Sequence, residues 1–303
     1  MMQIQAHVPR VFGVSSGAGQ QKLFANILVA TDFSPASEQA LDYALSFART
    51  YDARLFLLHV LVVDSLPARE LGTALHEELY REARQKMDRI LTLGRFVGVP
   101  HETIIEEGAL WPAISAQINK NSIDLVVIGT HGATAAETVL LGSTAEQVFR
   151  QAHVPVLTVG PRILHEPLYG IELKNILLAT ELDKGWERKA EYAFSLAQEH
   201  RSKLTVLHVA PDFEREPPLN EKELITNQLC NMLPHPPEMH CLPILRVERG
   251  EPVREVLRVA HEIHADLIVL GVKPKSLVTH ILPRTKAYQV ASQALCPVLT
   301  VKS

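Results

Sequence analysis

The sequence is short of cysteine, of surplus positive charge and of long apolar runs, and each shortage excludes something. Three cysteines in 303 residues, Cys230, Cys241 and Cys296, form no paired framework. Disulfides therefore do not hold this chain together, and a reducing compartment is expected, with the cytoplasm as the default. Lys and Arg number 30 against 34 Asp and Glu, a formal net charge of −4. That balance offers no basic surplus to a nucleic-acid backbone or an anionic membrane, so neither is an expected partner. The longest apolar run, LFLLHVLVV, is interrupted by His59 and falls far short of the roughly 20 residues of a membrane span. Residues 1–22 hold no apolar stretch of signal-peptide length and read as a flexible tail. Two phosphate-binding signatures are also missing. No GxxxxGK[ST] occurs and no GxGxxG follows a strand pattern, which excludes a P-loop and a dinucleotide-binding fold. The SGG loop of adenylating enzymes is absent too, its place being taken by ATDFS.

What the chain does contain is itself, twice. Apolar residues make up 47% and charged residues 21%, enough for a sizeable core. Residues 26–60 align without gaps to 175–209 at an offset of 149, with 14 of 35 positions identical. The stretch EEGALWPAISAQINKNSIDLVVIG aligns with ERGEPVREVLRVAHEIHADLIVLG at an offset of 142, and the same register carries VPVLTVGP onto CPVLTVKS. Repeats of this length imply two homologous units. The expected organisation is a tail over 1–22, a first domain over 23–162, a linker over 163–171 and a second domain over 172–303.

Each half shows the same succession of elements. NILVAT is a β-branched, apolar run suited to a strand buried on both faces. Ser34 is placed to cap a helix whose first position is Pro35, and Leu41, Ala44, Leu45 and Ala48 form a stripe along it. A second strand (RLFLLHV), a helix over roughly 67–96, a third strand (TIIEEG), a helix (PAISAQINK), a fourth strand (DLVVIG), a glycine loop, a helix from about 143 and a last strand (VPVLTV) follow. Alternation of strand and helix predicts parallel strands joined by right-handed crossovers, one small doubly wound α/β domain per half.

The loop GTHGATAAETVLLGST, residues 129–144, lies where such sheets bind ligands, beyond the carboxyl end of a strand. Glycine at 129 and 132 lets backbone approach a ligand and permits positive φ, and adjacent amides can form an anion-binding concavity. Gly142, Ser143 and Thr144 precede a helix, whose amino end attracts phosphate. The alternative is that the glycines merely end a strand and open a helix. Asp32, directly after the first strand, suits ribose hydroxyls or a metal; its alternative is an Asx-type turn or a second capping oxygen.

NILVATDFS on the first strand, LLHV on the second and Gly-x2-Gly-x9-Gly-Ser-Thr after the fourth resemble a universal stress protein of the ATP-binding branch, and the resemblance covers nearly the whole chain, twice. It implies a five-stranded parallel sheet of order 3-2-1-4-5 in each half, the adenine nucleotide alpha hydrolase-like arrangement. It implies further that the end of the first strand, Ala30, Thr31 and Asp32, faces the ribose or adenine, and that the Val60 backbone borders the adenine. Gly129, Thr130, His131, Gly132, Ala133, Gly142, Ser143 and Thr144 would hold the phosphates, with Mg²⁺ or Mn²⁺ bridging them. The last strands of two such domains pair across a dimer axis in that family, and here they could do so within one chain; a homodimer of tandem chains is left open.

The second half departs from this pattern. Gly132 becomes Pro274, Gly142 becomes Arg284, Ser143 becomes Thr285 and Thr144 becomes Lys286, while Asp32 becomes Glu181 and Ser34 becomes Asp183. Proline removes a donor, and this half is not expected to bind ATP in the family manner. Lys273, Lys275, Arg284 and Lys286 could hold a different anion or form a solvated basic loop. The expected function is a nucleotide-dependent stress-response regulator binding ATP in its first half, not an enzyme beyond slow hydrolysis; the alternative is an interaction scaffold without nucleotide. Cys230, His235, His240 and Cys241 are types that ligate zinc, but their spacing matches no standard finger. His59 and His208 recur at the ends of the second strands, which favours a structural contact, and His131 has no identifiable partner acid.

Overall fold

The computed structural model describes residues 22–62, 73–92, 94–130, 147–148, 151–163, 167, 170–181, 186–210, 223–224, 226–227, 242–272 and 285–302. The first half contains β1 (Asn26–Ala30), α1 (Pro35–Tyr51), β2 (Arg54–Leu61), α2 (Thr73–Thr92), β3 (His101–Glu107), α3 (Leu110–Lys120), β4 (Leu125–Gly129) and β5 (Val156–Val159). The second contains β6 (Asn175–Thr180), α4 (Trp186–His200), β7 (Lys203–Ala210), β8 (Ile244–Arg249), α5 (Pro252–Glu262), β9 (Leu267–Val272), α6 (Lys286–Gln293) and β10 (Val298–Lys302).

Helix α1 forms as its sequence dictates. Ser34 has extended backbone, its hydroxyl accepts from the Ser37 amide, and Pro35 takes the first helical position. The stripe of Leu41, Ala44, Leu45 and Ala48 is at most 2% exposed. Each such leucine contributes about 1.5–3 kcal/mol by leaving water. Asp52, in the left-handed region at φ 48°, ends the helix. The helix expected to run to 96 stops earlier: α2 ends at Thr92, and Gly94 and Gly98 take φ of 70° and 78° in the turn that follows.

The strand order is β3-β2-β1-β4-β5-β10-β9-β6-β7-β8, so each half has the expected 3-2-1-4-5 order and the two halves share one ten-stranded sheet. All neighbours within a half are parallel, and β5 meets β10 antiparallel. The register there pairs Leu157 with Leu299, Thr158 with Val298 and Val156 with Thr300. Leu157 and Leu299 are the same position of the repeat, so a pseudo-two-fold axis passes between them.

Both cores cross that axis. On one face Phe24, Leu41, Leu157 and Val159 join Leu173, Phe194, Leu299 and Val301. On the other Leu28, Ile114, Val126 and Val156 join Leu177, Val256, Ile268 and Val298. Phe24 stacks on Tyr192 with ring centroids 6.1 Å apart. Residues between the halves also dock on α1: Gln39 donates to the Ile163 carbonyl at 2.9 Å, Ser46 to that of Pro167 at 3.1 Å, and Thr50 accepts from the Ile171 amide at 3.2 Å. Cys296 is buried and unbridged, and burial pushes its thiol pKa up to about 12, which leaves it inert.

The axis pair is imperfect in one place. Thr300 donates its hydroxyl to the Val156 carbonyl at 3.2 Å, whereas the equivalent Thr158 hydroxyl is buried without a partner. Replacing Thr158 by Val removes an unmet polar group and is expected to leave stability unchanged or raise it by about 1 kcal/mol, while Thr300→Val lowers it by about 1 kcal/mol. Denaturant midpoints of the two variants measure the contrast; equal losses would contradict it.

Tyr51 and His200, again one position of the repeat, meet with Tyr51 Oη 2.9 Å from His200 Nε2. Burial holds the His200 pKa below its ordinary value of 6.5. Above pH 6.5 the ring is neutral folded or unfolded; below it the unfolded chain takes up the proton first, so the contribution to stability is lost as pH falls. His59 shifts in the same direction, and Glu199, whose carboxyl burial raises, acts in the opposite one. Thermal melts at about pH 7.5 and about pH 5.5 are expected to show a smaller drop for His200→Gln than for the natural protein.

Candidate functional site

The strand order reverses direction at β1, whose neighbours are β2 and β4. A crevice therefore opens beyond the carboxyl ends of these strands. The structure brings Ala30, Thr31 and Asp32 at the end of β1, Val60 in β2, and Gly129 and Thr130 at the end of β4 to this edge. His131, Gly132, Ala133, Gly142, Ser143 and Thr144 lie outside the described residues, as do Asp183, Lys273, Lys275, Pro274, Arg284, Cys230, His235, His240 and Cys241. Because β5 and β10 run antiparallel, the corresponding edge of the second half faces the opposite end of the sheet.

The loop after β1 is a tight, internally bonded turn. The Thr31 amide donates to the Leu58 carbonyl at 2.8 Å, which ties the loop to β2. The Thr31 hydroxyl accepts from the Phe33 amide at 3.0 Å and lies 3.1 Å from the Ser37 hydroxyl. Asp32 Oδ1 accepts from the Ser34 amide at 3.0 Å. This is the Asx turn that stood as the alternative for Asp32, and it fixes an exposed carboxylate at the crevice. Phe33 takes φ of 64°, a conformation that costs a bulky residue energy and is tolerated only where surroundings impose it. The surroundings here are the His59 ring, whose centroid is 4.3 Å from that of Phe33, and the Lys86 ammonium, 5.6 Å from the Phe33 centroid.

His59 braces the same loop from β2. Its Nδ1 lies 2.8 Å from the Thr31 carbonyl, and since a carbonyl only accepts, Nδ1 carries the proton. The second half repeats the contact, His208 Nδ1 lying 2.9 Å from the Thr180 carbonyl. Burial lowers the His59 pKa, opposed by the Thr31 hydrogen bond and by the charge of Asp32. A neutral ring committed to a backbone carbonyl is a brace, which agrees with what recurrence in both halves implies.

Gly129 answers to packing. A Cβ there would lie 2.7 Å from the Ala36 carbonyl oxygen and 3.1 Å from the Ser37 amide. The end of β4 thus abuts the first turn of α1, and the expectation that Gly129 serves positive φ is corrected, because it is not among the positive-φ glycines. Thr130, 1% exposed, continues the sheet edge through its amide to the Val159 carbonyl at 3.0 Å.

In the second half Glu181 Oε1 lies 3.0 Å from Lys286 Nζ. Lys286 is the first residue of α6, capped by the Thr285 hydroxyl, which accepts from the Tyr288 amide at 3.2 Å. Of the four basic residues expected on this loop, the one described thus already faces a carboxylate. At the amino ends of β1 and β6, Asp124 accepts from the Ala25 amide at 2.7 Å and the Asn26 amide at 3.2 Å, and Asp266 from the Lys174 and Asn175 amides at 2.7 and 2.8 Å. Sequence reasoning passed over this clamp, although the aspartate opens both DLVVIG and DLIVLG. Among the described residues no group of three or more His, Cys, Asp or Glu is placed to hold a metal, and no helix is long and apolar enough to cross a membrane.

The profile of the universal stress protein family matches residues 24–160 and again 172–302. The chain belongs to the universal stress protein family. A universal stress protein of Mycolicibacterium smegmatis is 30% identical over 295 residues, covering 91% of this chain and 96% of that one. A single-length relative from Methanocaldococcus jannaschii is 33% identical over 142 residues, 46% of this chain and 84% of its own. A solved universal stress protein from Archaeoglobus fulgidus superposes with a TM-score of 0.70 at 20% identity, covering 93% of this chain and 99% of that one, which bears on the fold. This universal stress protein is therefore a tandem member, with both repeats in one sheet.

Gly129→Ala is expected to destabilise the protein by about 1–3 kcal/mol, because the opposing atoms are backbone and cannot rotate away. An unchanged denaturation midpoint would remove the packing account of this glycine.

Proposed function

We propose that this universal stress protein is a nucleotide-binding regulator that takes ATP in its first half, at the crevice between the ends of β1 and β4. The observation that carries the reading is the exposed carboxylate of Asp32, held by an Asx turn and braced by His59 at the sheet's topological switch point. Asp32 faces the ribose or adenine, Val60 borders the base, and the segments 129–133 and 142–144 take the phosphates. The family includes a universal stress protein solved in complex with cAMP; the reading for this chain rests on its own residues. Asp32 is given to the ribose end, and among the described residues no group of three or more His, Cys, Asp or Glu is placed to hold a metal, so a metal would come in with the phosphates. A bridging Mg²⁺ or Mn²⁺ would neutralise phosphate charge there.

The reading is regulatory rather than catalytic. His59 donates its Nδ1 proton to a backbone carbonyl, which commits that nitrogen to bracing the loop. Hydrolysis, where it occurs, is slow, and occupancy alters contacts with partners.

Isothermal titration of ATP into the full-length chain tests this. One saturable site is expected, with Asp32→Ala weakening it at least about tenfold, the loss of roughly one charge-assisted hydrogen bond. Absence of binding, or a variant that binds as well as the natural protein, would sink the reading.

A further inference from the structure

Glu181 and Lys286 stand on the two sides of the second crevice. Glu181 follows the last residue of β6, Lys286 opens α6, and their charged atoms are 3.0 Å apart. In the repeat these are the positions of Asp32 and Thr144, which the reading above gives to the ribose end and the phosphate end of the nucleotide. The ion pair thus joins the two places a nucleotide would join. No such pair can form in the first half, where threonine carries no charge.

The energetics favour a role in selection over one in folding. The side chains are 59% and 51% exposed, and exposed ion pairs add little to stability. A lysine at the first turn of a helix is opposed by the helix dipole, so the pairing offsets an unfavourable placement. The cation that could have drawn a phosphate is already neutralised, and the carboxylate that neutralises it repels an incoming one. We propose that the Glu181–Lys286 pair is a specificity determinant that, together with Pro274 and Arg284, closes the second half to nucleotide, limiting the chain to one ATP. The proposal rests on the nucleotide-binding reading of the first half.

Equilibrium dialysis of the full-length protein against saturating ATP counts bound nucleotide per chain. The natural protein is expected to bind one, and Glu181→Asp combined with Lys286→Thr, which restores the first half's residue types at these two positions while Pro274 and Arg284 stay, is expected to bind a second, weaker one. Glu181→Lys with Lys286→Glu re-forms the pair in reverse and is expected to stay at one. Adding Asp32→Ala to the restored variant, dialysed over a range of ATP concentrations, is expected to weaken the first site at least about tenfold and to leave the second unchanged. The proposal is overturned when the natural protein already binds two, or when the restored variant binds no more than the natural one. A natural protein binding none beside a restored variant binding one would instead overturn the first-half reading and leave this one standing. Both positions are surface-exposed, so all variants are expected to melt with the natural protein; Lys286→Thr alone, expected to show a weaker second site, replaces any variant that does not.

Discussion

The antiparallel pairing of β5 with β10 is the contact on which the rest of the molecule depends. Either strand alone would be a sheet edge with unpaired backbone groups, and a two-layer sheet ending there would leave apolar faces open to water. Joined at Leu157 and Leu299, the strands make one ten-stranded sheet, and both cores run through the junction without a break. The side chains at the axis follow from this. Tyr51 meets His200 because the repeat places the end of α1 beside the end of α4, and Phe24, just before β1, stacks on Tyr192 of α4.

The same pairing sets the direction in which each half's carboxyl edge faces. Within each half the strands are parallel, so all their carboxyl ends share one edge; between halves the direction reverses. The two crevices therefore face away from one another, and each is built by its own half. What the halves share is support: His59 and His208 hold the Thr31 and Thr180 carbonyls in the same way, and Asp124 and Asp266 clamp the opposite ends of β1 and β6.

Against that common frame the differences stand out. Asp32 closes an Asx turn at an exposed edge, while Glu181 reaches Lys286 across its crevice. The brace and the clamp persist where the residues at the carboxyl edge change, because strand packing depends on the first pair and not on the second. Gly129 belongs with the brace: its missing Cβ makes room for α1, a constraint of the fold.

Much of this was legible in the chain itself. The offsets of 149 and 142, the capping by Ser34 and Pro35, and the stripe of Leu41, Ala44, Leu45 and Ala48 determined two doubly wound repeats, because local propensity and apolar periodicity act over a few residues and survive in any context. The recurrence of His59 and His208 pointed to a structural contact. What the sequence could not decide was which atoms meet across long separations: that Gly129 lies against Ala36, that Glu181 is 3.0 Å from Lys286, and that Leu157 faces Leu299. Those pairings are set by the register of parallel strands and by the closure of one sheet across both repeats, which no local pattern records.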